Sequence, residues 1–205
     1  MKLGDINNFV GDIDIELLDQ LLKGRFNDRH RLLEIGCGQG RNVIPFLNLG
    51  KVIYGIDLDE KNVALCKLIA TSLGGNPSFF SKANARRLPF ENEFFDAIIS
   101  CRVMHFAKND NDFKRQWKEQ FRVLKKGGFL YFSTDTSINN EEIVQSTDGE
   151  RSWFNDQSKR LLLTEQLFDM VNLHNNFKLL EPFKTIRFGK EHAHAILCLQ
   201  KKNNR

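Results

Sequence analysis

The stretch Leu32-Leu33-Glu34-Ile35-Gly36-Cys37-Gly38-Gln39-Gly40-Arg41-Asn42 runs an apolar strand into three alternate glycines and then into a helix that continues to Asn48. Glycine is required where a backbone turns tightly or where a ligand lies against it with no Cβ in the way. The next strand, residues 52–56, is β-branched and ends at Asp57, seventeen residues beyond Gly40. In a right-handed βαβ unit the carboxyl ends of neighbouring strands lie side by side. The glycine loop and Asp57 therefore converge on one cleft, where a carboxylate can accept both hydroxyls of a ribose. A dinucleotide loop has the spacing Gly-x-Gly-x-x-Gly, and its third glycine would fall on Arg41. The spacing here is Gly-x-Gly-x-Gly, with Glu34 two residues ahead.

Outward from that loop, apolar periodicity alternates between helical and strand-like segments, the pattern of an α/β domain. Helices are expected over 13–22, 41–48, 61–73, 112–124 and 164–173, the last with Thr164 as N-cap. Strands are expected over 31–35, 52–56, 78–82, 94–100 and 129–133. A final antiparallel pair, 177–188 and 192–199, turns at Gly189-Lys190. Residues 1–30 form an N-terminal helical segment. Residues 135–160 are polar and weakly periodic, which inside a compact domain marks an insertion or lid over the cleft. With no linker, repeat or low-complexity tract, residues 1–205 read as a single domain.

The chain has 205 residues, 41% hydrophobic and 27% charged. It is too apolar for disorder, and long enough to bury roughly 70% of its extended surface in one core. Thirty basic against 26 acidic residues leave +4, too small and too evenly spread an excess for a nucleic-acid binder. No run of 18 apolar residues exists to span a membrane. The acidic N-terminal stretch lacks the basic and then apolar pattern of a signal peptide, so a cytoplasmic protein is expected. Cys37, Cys66, Cys101 and Cys198 are scattered, with no spacing for zinc or a redox dithiol. Eighteen Phe against two Tyr and two Trp imply an aromatic core with few polar tips.

Five motifs in order carry a family resemblance: residues 33–40; Tyr54-Gly55-Ile56-Asp57-Leu58-Asp59; Ala83-Asn84-Ala85-Arg86-Arg87-Leu88-Pro89-Phe90; residues 94–100; and Val123-Leu124-Lys125-Lys126-Gly127-Gly128-Phe129-Leu130. Together the chain resembles the class I S-adenosylmethionine-dependent methyltransferases, of the small bacterial single-domain type. The resemblance implies a Rossmann-like, doubly wound, seven-stranded sheet, mostly parallel with an antiparallel C-terminal edge hairpin. It implies S-adenosylmethionine as cofactor. Gly36, Gly38 and Gly40, flanked by Glu34 and Cys37, would lie beneath its methionine half. Asp57 would hold the ribose and Leu58 would lie on the adenine. Asn84 and Ala85 would meet the adenine edge, with Asn84 standing where the family often has Asp. Ser100 and Cys101 would border the same site at the strand exit. No metal is implied. The implied reaction is methyl transfer to an O, N or S atom of a small molecule, by a monomer or homodimer. An RNA or protein methyltransferase, a non-catalytic cofactor-binding protein and an NAD-dependent oxidoreductase are the other readings.

In-line transfer of a methyl group needs a base only when the acceptor is protonated. His105, in the segment leaving the fourth strand, is the candidate catalytic acid–base group, because imidazole titrates near neutrality. Its other reading is packing on the cofactor or capping the next helix. The signature Asn/Asp-Pro-Pro-Tyr/Phe of amino-methyltransferases is absent there. His192 and His194 alternate on one strand face, a spacing that two metal ligands could use; with no ligand set completed around them they read as solvent-side polar residues. Arg86 and Arg87 read as surface charge, and Lys114, Arg115 and Lys118, interleaved with Glu119, as a solvated helix face. Arg151, Trp153 and Phe154, suited to clamping an aromatic or anionic molecule, are the candidate substrate contacts.

Overall fold

Strand β1 (Arg31–Ile35) is buried at Leu32, Leu33, Glu34 and Ile35, as a central parallel strand must be when helices cover both faces. The computed structural model describes residues 3–136, 160–175, 177–188 and 192–203, with the backbone of 144–145 and 152–153. Helices α1 (Leu3–Val10) and α2 (Ile15–Leu22) precede β1. After it come α3 (Val43–Asn48), β2 (Val52–Asp57), α4 (Glu60–Ser72), β3 (Phe80–Lys82), β4 (Phe95–Cys101), α5 (Asp110–Val123) and β5 (Leu124–Thr136). A two-residue ribbon, β6 (Val144–Gln145) with β7 (Ser152–Trp153), is followed by α6 (Glu165–Asn175), β8 (Phe177–Leu179), β9 (Lys184–Phe188) and β10 (His192–Lys201).

The main sheet has eight strands, with β3-β2-β1-β4-β5-β10-β8 as its path and β9 also on β10. The pairs from β3 through β5 are parallel, and β10 is antiparallel to β5, β8 and β9. The chain winds outward from β1 to β3, then returns to place β4 on the other side of β1. That reversal opens a crevice at the carboxyl ends of β1 and β4, where ligands bind in open α/β sheets.

Alternation along β5 builds the two core layers. Leu130 and Phe132 face α5 and α6 with Trp117, Phe113 and Phe168, while Phe129 and Tyr131 face the layer containing Leu17, Phe26, Phe46 and Val63. Successive side chains of a strand point to opposite faces, so one strand supplies both cores. The doubly wound architecture is as expected; the count of eight strands instead of seven has one local cause. The segment expected as one strand over 177–188 breaks at Leu180–Phe183, around Pro182, which has no N–H for a ladder. Its halves pair separately with β10, β8 at residues 199–201 and β9 at residues 192–196. Helix α1 falls in the N-terminal segment expected to be helical, where the sequence bounds a helix only over residues 13–22; Asn48 Nδ2 donates to its Phe9 carbonyl at 2.9 Å. Thr164 caps α6 as expected, accepting from Leu167 N at 3.2 Å. All four cysteines are buried and free, and no described helix is long and apolar enough to cross a membrane.

Candidate active site

At the end of β1 the chain turns through Gly36 at φ 68°, and Gly36 N and Cys37 N both donate to Ile56 O, at 2.8 and 2.9 Å. A Cβ on Gly36 would stand 2.5 Å from Val103 Cγ2, so glycine is required both by conformation and by the close approach of the segment leaving β4. Gly38 N donates to Asp57 Oδ2 at 2.8 Å and Asp59 N to Asp57 Oδ1 at 2.9 Å. The loop and the carboxylate that converge in sequence are thus hydrogen-bonded, and each Asp57 oxygen keeps a lone pair for a further donor.

Asp57 lines a cleft of about 370 Å³. Leu58, 63% exposed, and Asn62 form its outer lip; Ala83, Asn84, Ala85 and Arg86 form one wall, and Cys101, Arg102, Val103 and Phe106 the other, with Gln116 behind. Of the expected cofactor residues, Gly36, Asp57, Leu58, Asn84, Ala85 and Cys101 meet in this lining. Glu34, Cys37, Gly38, Gly40 and Ser100 are not in it. Asn84 Oδ1 accepts from Arg86 N at 2.9 Å, leaving one lone pair of that oxygen for a ligand. Arg86 is not the surface charge expected: it is half-buried in the wall and ion-paired to Asp112. Glu119 is also committed, accepting from Leu88 N at 2.7 Å. Arg122 donates to Leu88 O and Phe90 O at 2.9 and 2.7 Å, so α5 holds the 83–90 loop in place.

Behind the glycine loop lies a buried polar chain that sequence reading missed. Tyr131 OH donates to Asp14 Oδ1 (2.8 Å), Asp14 N to Asn42 Oδ1 (2.9 Å), and Asn42 Nδ2 to Glu34 Oε1 (2.9 Å). Glu34 Oε2 is buried with no partner among the described residues. Burial pushes the Glu34 carboxyl up to about 8, against the opposing bond from Asn42. A hydrogen bond to Cys66, with burial, keeps Cys37 a thiol, and burial pushes Cys101 up to about 12. Ser100 is buried, its Oγ without a partner among the described residues.

His105 sits in a single 3-10 turn, Met104–Phe106, and is 2% exposed. It is absent from the cleft lining. Its carbonyl accepts from Leu161 N at 2.8 Å, and its ring lies 4.2 Å, centroid to centroid, from that of Phe106. Nδ1 faces Asp135 Oδ1 at 3.4 Å, and His194 Nε2 faces the same oxygen at 3.3 Å. Arg160 Nη1 meets Asp135 Oδ2 at 3.2 Å. Burial alone would raise the Asp135 carboxyl, but His105, Arg160 and His194 outweigh it and hold it at about 2. His194 is lowered by burial and by Arg102, against the pull of Asp135. The solvent-side reading of His194 is therefore corrected: the β5–β10 register sets it opposite Asp135. The signal for Asp135 was its place at the carboxyl end of a buried strand. Arg151 and Phe154, and the side chains of Trp153 and His192, lie outside the described residues. Among the described residues no three His, Cys, Asp or Glu are grouped to hold a metal.

Residues 33–132 match a family model described as a methyltransferase domain. Over 142 residues the chain is 28% identical to YqeM of Bacillus subtilis, covering 69% of this chain and 55% of that protein. Over 136 residues it is 29% identical to a ubiquinone biosynthesis O-methyltransferase of Pelagibacter ubique, covering 62% and 49%. The chain thus spans about half the length of these curated relatives. The crystal structure of a SAM-dependent methyltransferase from Methanosarcina mazei aligns with a TM-score of 0.69 at 21% identity, over 90% of this chain and 98% of that one. Over residues 33–132 the chain is thus similar to the methyltransferase domain family, and it shares its fold with the SAM-dependent methyltransferase of Methanosarcina mazei.

Proposed function

We propose that this chain, acting as one domain, transfers a methyl group from S-adenosylmethionine to a small-molecule acceptor. The observation that carries the reading is the hydrogen bond joining the glycine loop to Asp57 at the crevice between β1 and β4. The residues present fit the cofactor: Gly36 lines the cleft with bare backbone, and Asp57 lines it with acceptor capacity left over. Leu58, apolar and 63% exposed beside Asp57, suits a purine face. Bound there, the cofactor supplies an electrophilic methyl group on a sulfonium.

What the chain's residues contribute is orientation. Asp57 fixes the sugar, the 83–90 loop and Val103 enclose the base, and Phe106 shields the acceptor side from water. Holding reactants in line is worth roughly 7–11 kcal/mol of barrier, so no base is needed for an acceptor already deprotonated. His105, buried and tied through its carbonyl to Leu161, is assigned to positioning the Phe106 turn. The cleft volume suits a small ligand, and the O-methyltransferase name of the Pelagibacter relative supports an acceptor of that kind.

Incubation with methyl-tritiated S-adenosylmethionine and three separate pools tests this: small metabolites, total RNA and total protein. Label in the small-molecule pool, blocked by S-adenosylhomocysteine, is expected. Label confined to RNA or protein overturns the acceptor class, and cofactor binding without label in any pool overturns catalysis.

A further inference from the structure

On the methyl-transfer reading, a nucleoside and its methionine arm would be held by the cleft residues of β1, β2 and the 83–90 loop. The wall over β4 is Arg102, Val103 and Phe106, with His194 of β10 and Asp135 of β5 alongside. Of the two arginines lining the cleft, Arg86 is neutralised by Asp112. Arg102 makes no side-chain hydrogen bond or ion pair with the described residues. The acids and bases around it answer one another: Asp135 is taken by Arg160, His105 and His194, and Asp14 faces Arg41 at 3.6 Å. Among the described residues, half-buried Arg102 is thus left in the cleft wall with no carboxylate paired to it.

Its backbone carries a second mark. Arg102 has φ 58°, a conformation that costs a residue with a side chain and that glycine adopts freely. Arg102 N donating to Ser133 O at 2.8 Å and Val103 packed against Gly36 enforce it. Strain of this kind persists where surrounding structure over-determines it, commonly at ligand sites. Four residues on, Phe106 is 68% exposed and lines the same cleft, an apolar face beside the cation.

We infer that Arg102 anchors the methyl acceptor by an anionic group, a carboxylate or a phosphate, with Phe106 against the acceptor's apolar body. The word acceptor rests on the methyl-transfer reading; the anion site stands separately. A bidentate guanidinium suits both oxyanions.

Calorimetric titration of the full chain, free and saturated with S-adenosylhomocysteine, with benzoate, phenyl phosphate and benzamide tests the site. At least one anion is expected to bind at least about tenfold tighter than benzamide, the gap that one unscreened charge-assisted pair supports. Which anion wins distinguishes carboxylate from phosphate. Arg102→Gln should erase the gap and Arg102→Lys keep part of it. Arg102→Gly should also erase it while raising the melting temperature by about 3 °C, because the strain is gone. Neither anion binding better than benzamide, or a gap that survives Arg102→Gln, overturns the proposal. So does an Arg102→Gln protein that loses affinity for S-adenosylhomocysteine but not for 5′-methylthioadenosine, since the charge then belongs to the cofactor's own carboxylate. Absence of S-adenosylhomocysteine binding in the wild-type chain defeats the methyl-transfer reading instead, and the titrations on the free protein still decide the anion site.

Discussion

Among the described residues Glu34 receives a single side-chain hydrogen bond, from Asn42, and its other oxygen is enclosed without a partner. Its carboxyl holds a proton up to about pH 8 in the folded chain, against an ordinary value of 4.5. Stability from this group is complete below about pH 4.5 and is lost as pH rises through 8. The melting temperature of the free protein should therefore fall from pH 5 to pH 8, corresponding to roughly 3 kcal/mol, and Glu34→Gln should flatten that limb. Asp135 has the opposite sign: held at about 2, it stabilises fully above pH 4 and loses that contribution as pH falls toward 2. Asp135→Asn leaves Arg160 and two imidazoles without their counter-charge and should cost about 3 kcal/mol by urea denaturation. At Gly36, Ala should cost about 2–4 kcal/mol from clash and left-handed strain together. In a Val103→Ala background the clash part should return and the strain part remain, a coupling that a double-mutant cycle reads directly. Gly36 and Asp57 were legible from spacing alone, because local chain geometry dictates them. Asp135 with His194 was not, because the two meet only through the register of antiparallel strands nearly sixty residues apart in sequence.

Helix α5 shows how an element can serve a site from behind. Asn109 caps it, accepting from Asp112 N at 2.9 Å, while Trp117 and Phe113 bury its apolar face. Asp112, Glu119 and Arg122 reach across to the 83–90 loop. Arg122→Ala removes donors to two loop carbonyls and should cost about 1–2 kcal/mol. Hydrogen exchange at Leu88 and Phe90 should accelerate, and S-adenosylhomocysteine affinity should fall several-fold while far-ultraviolet helix signal stays constant. An unchanged exchange rate would show that the loop holds itself. The helix was readable from its 3.6-residue period, but its polar residues read as solvent-facing because periodicity reports which face is apolar, not what the other face touches. Pro182 marks the reverse case: a visible strand breaker inside a segment read as one strand, where apolar and β-branched content outweighed the missing donor.

At the scale of the molecule, the order β3-β2-β1-β4-β5-β10 sets two neighbouring chemistries along one sheet edge. Glycine loop and Asp57 lie over β1 and β2; Arg102, Asp135 and His194 lie over β4, β5 and β10. The first half was legible because its parts follow one another along the chain. The second gathers residues from three separate segments, and only the folded sheet brings them together. Everything about cofactor and acceptor depends on Asp57 gripping a ribose. Isothermal titration with S-adenosylhomocysteine measures this most directly: one site per chain is expected, with Asp57→Ala weakening it at least about thirtyfold, near 2 kcal/mol. Equal affinity in the two proteins would contradict it.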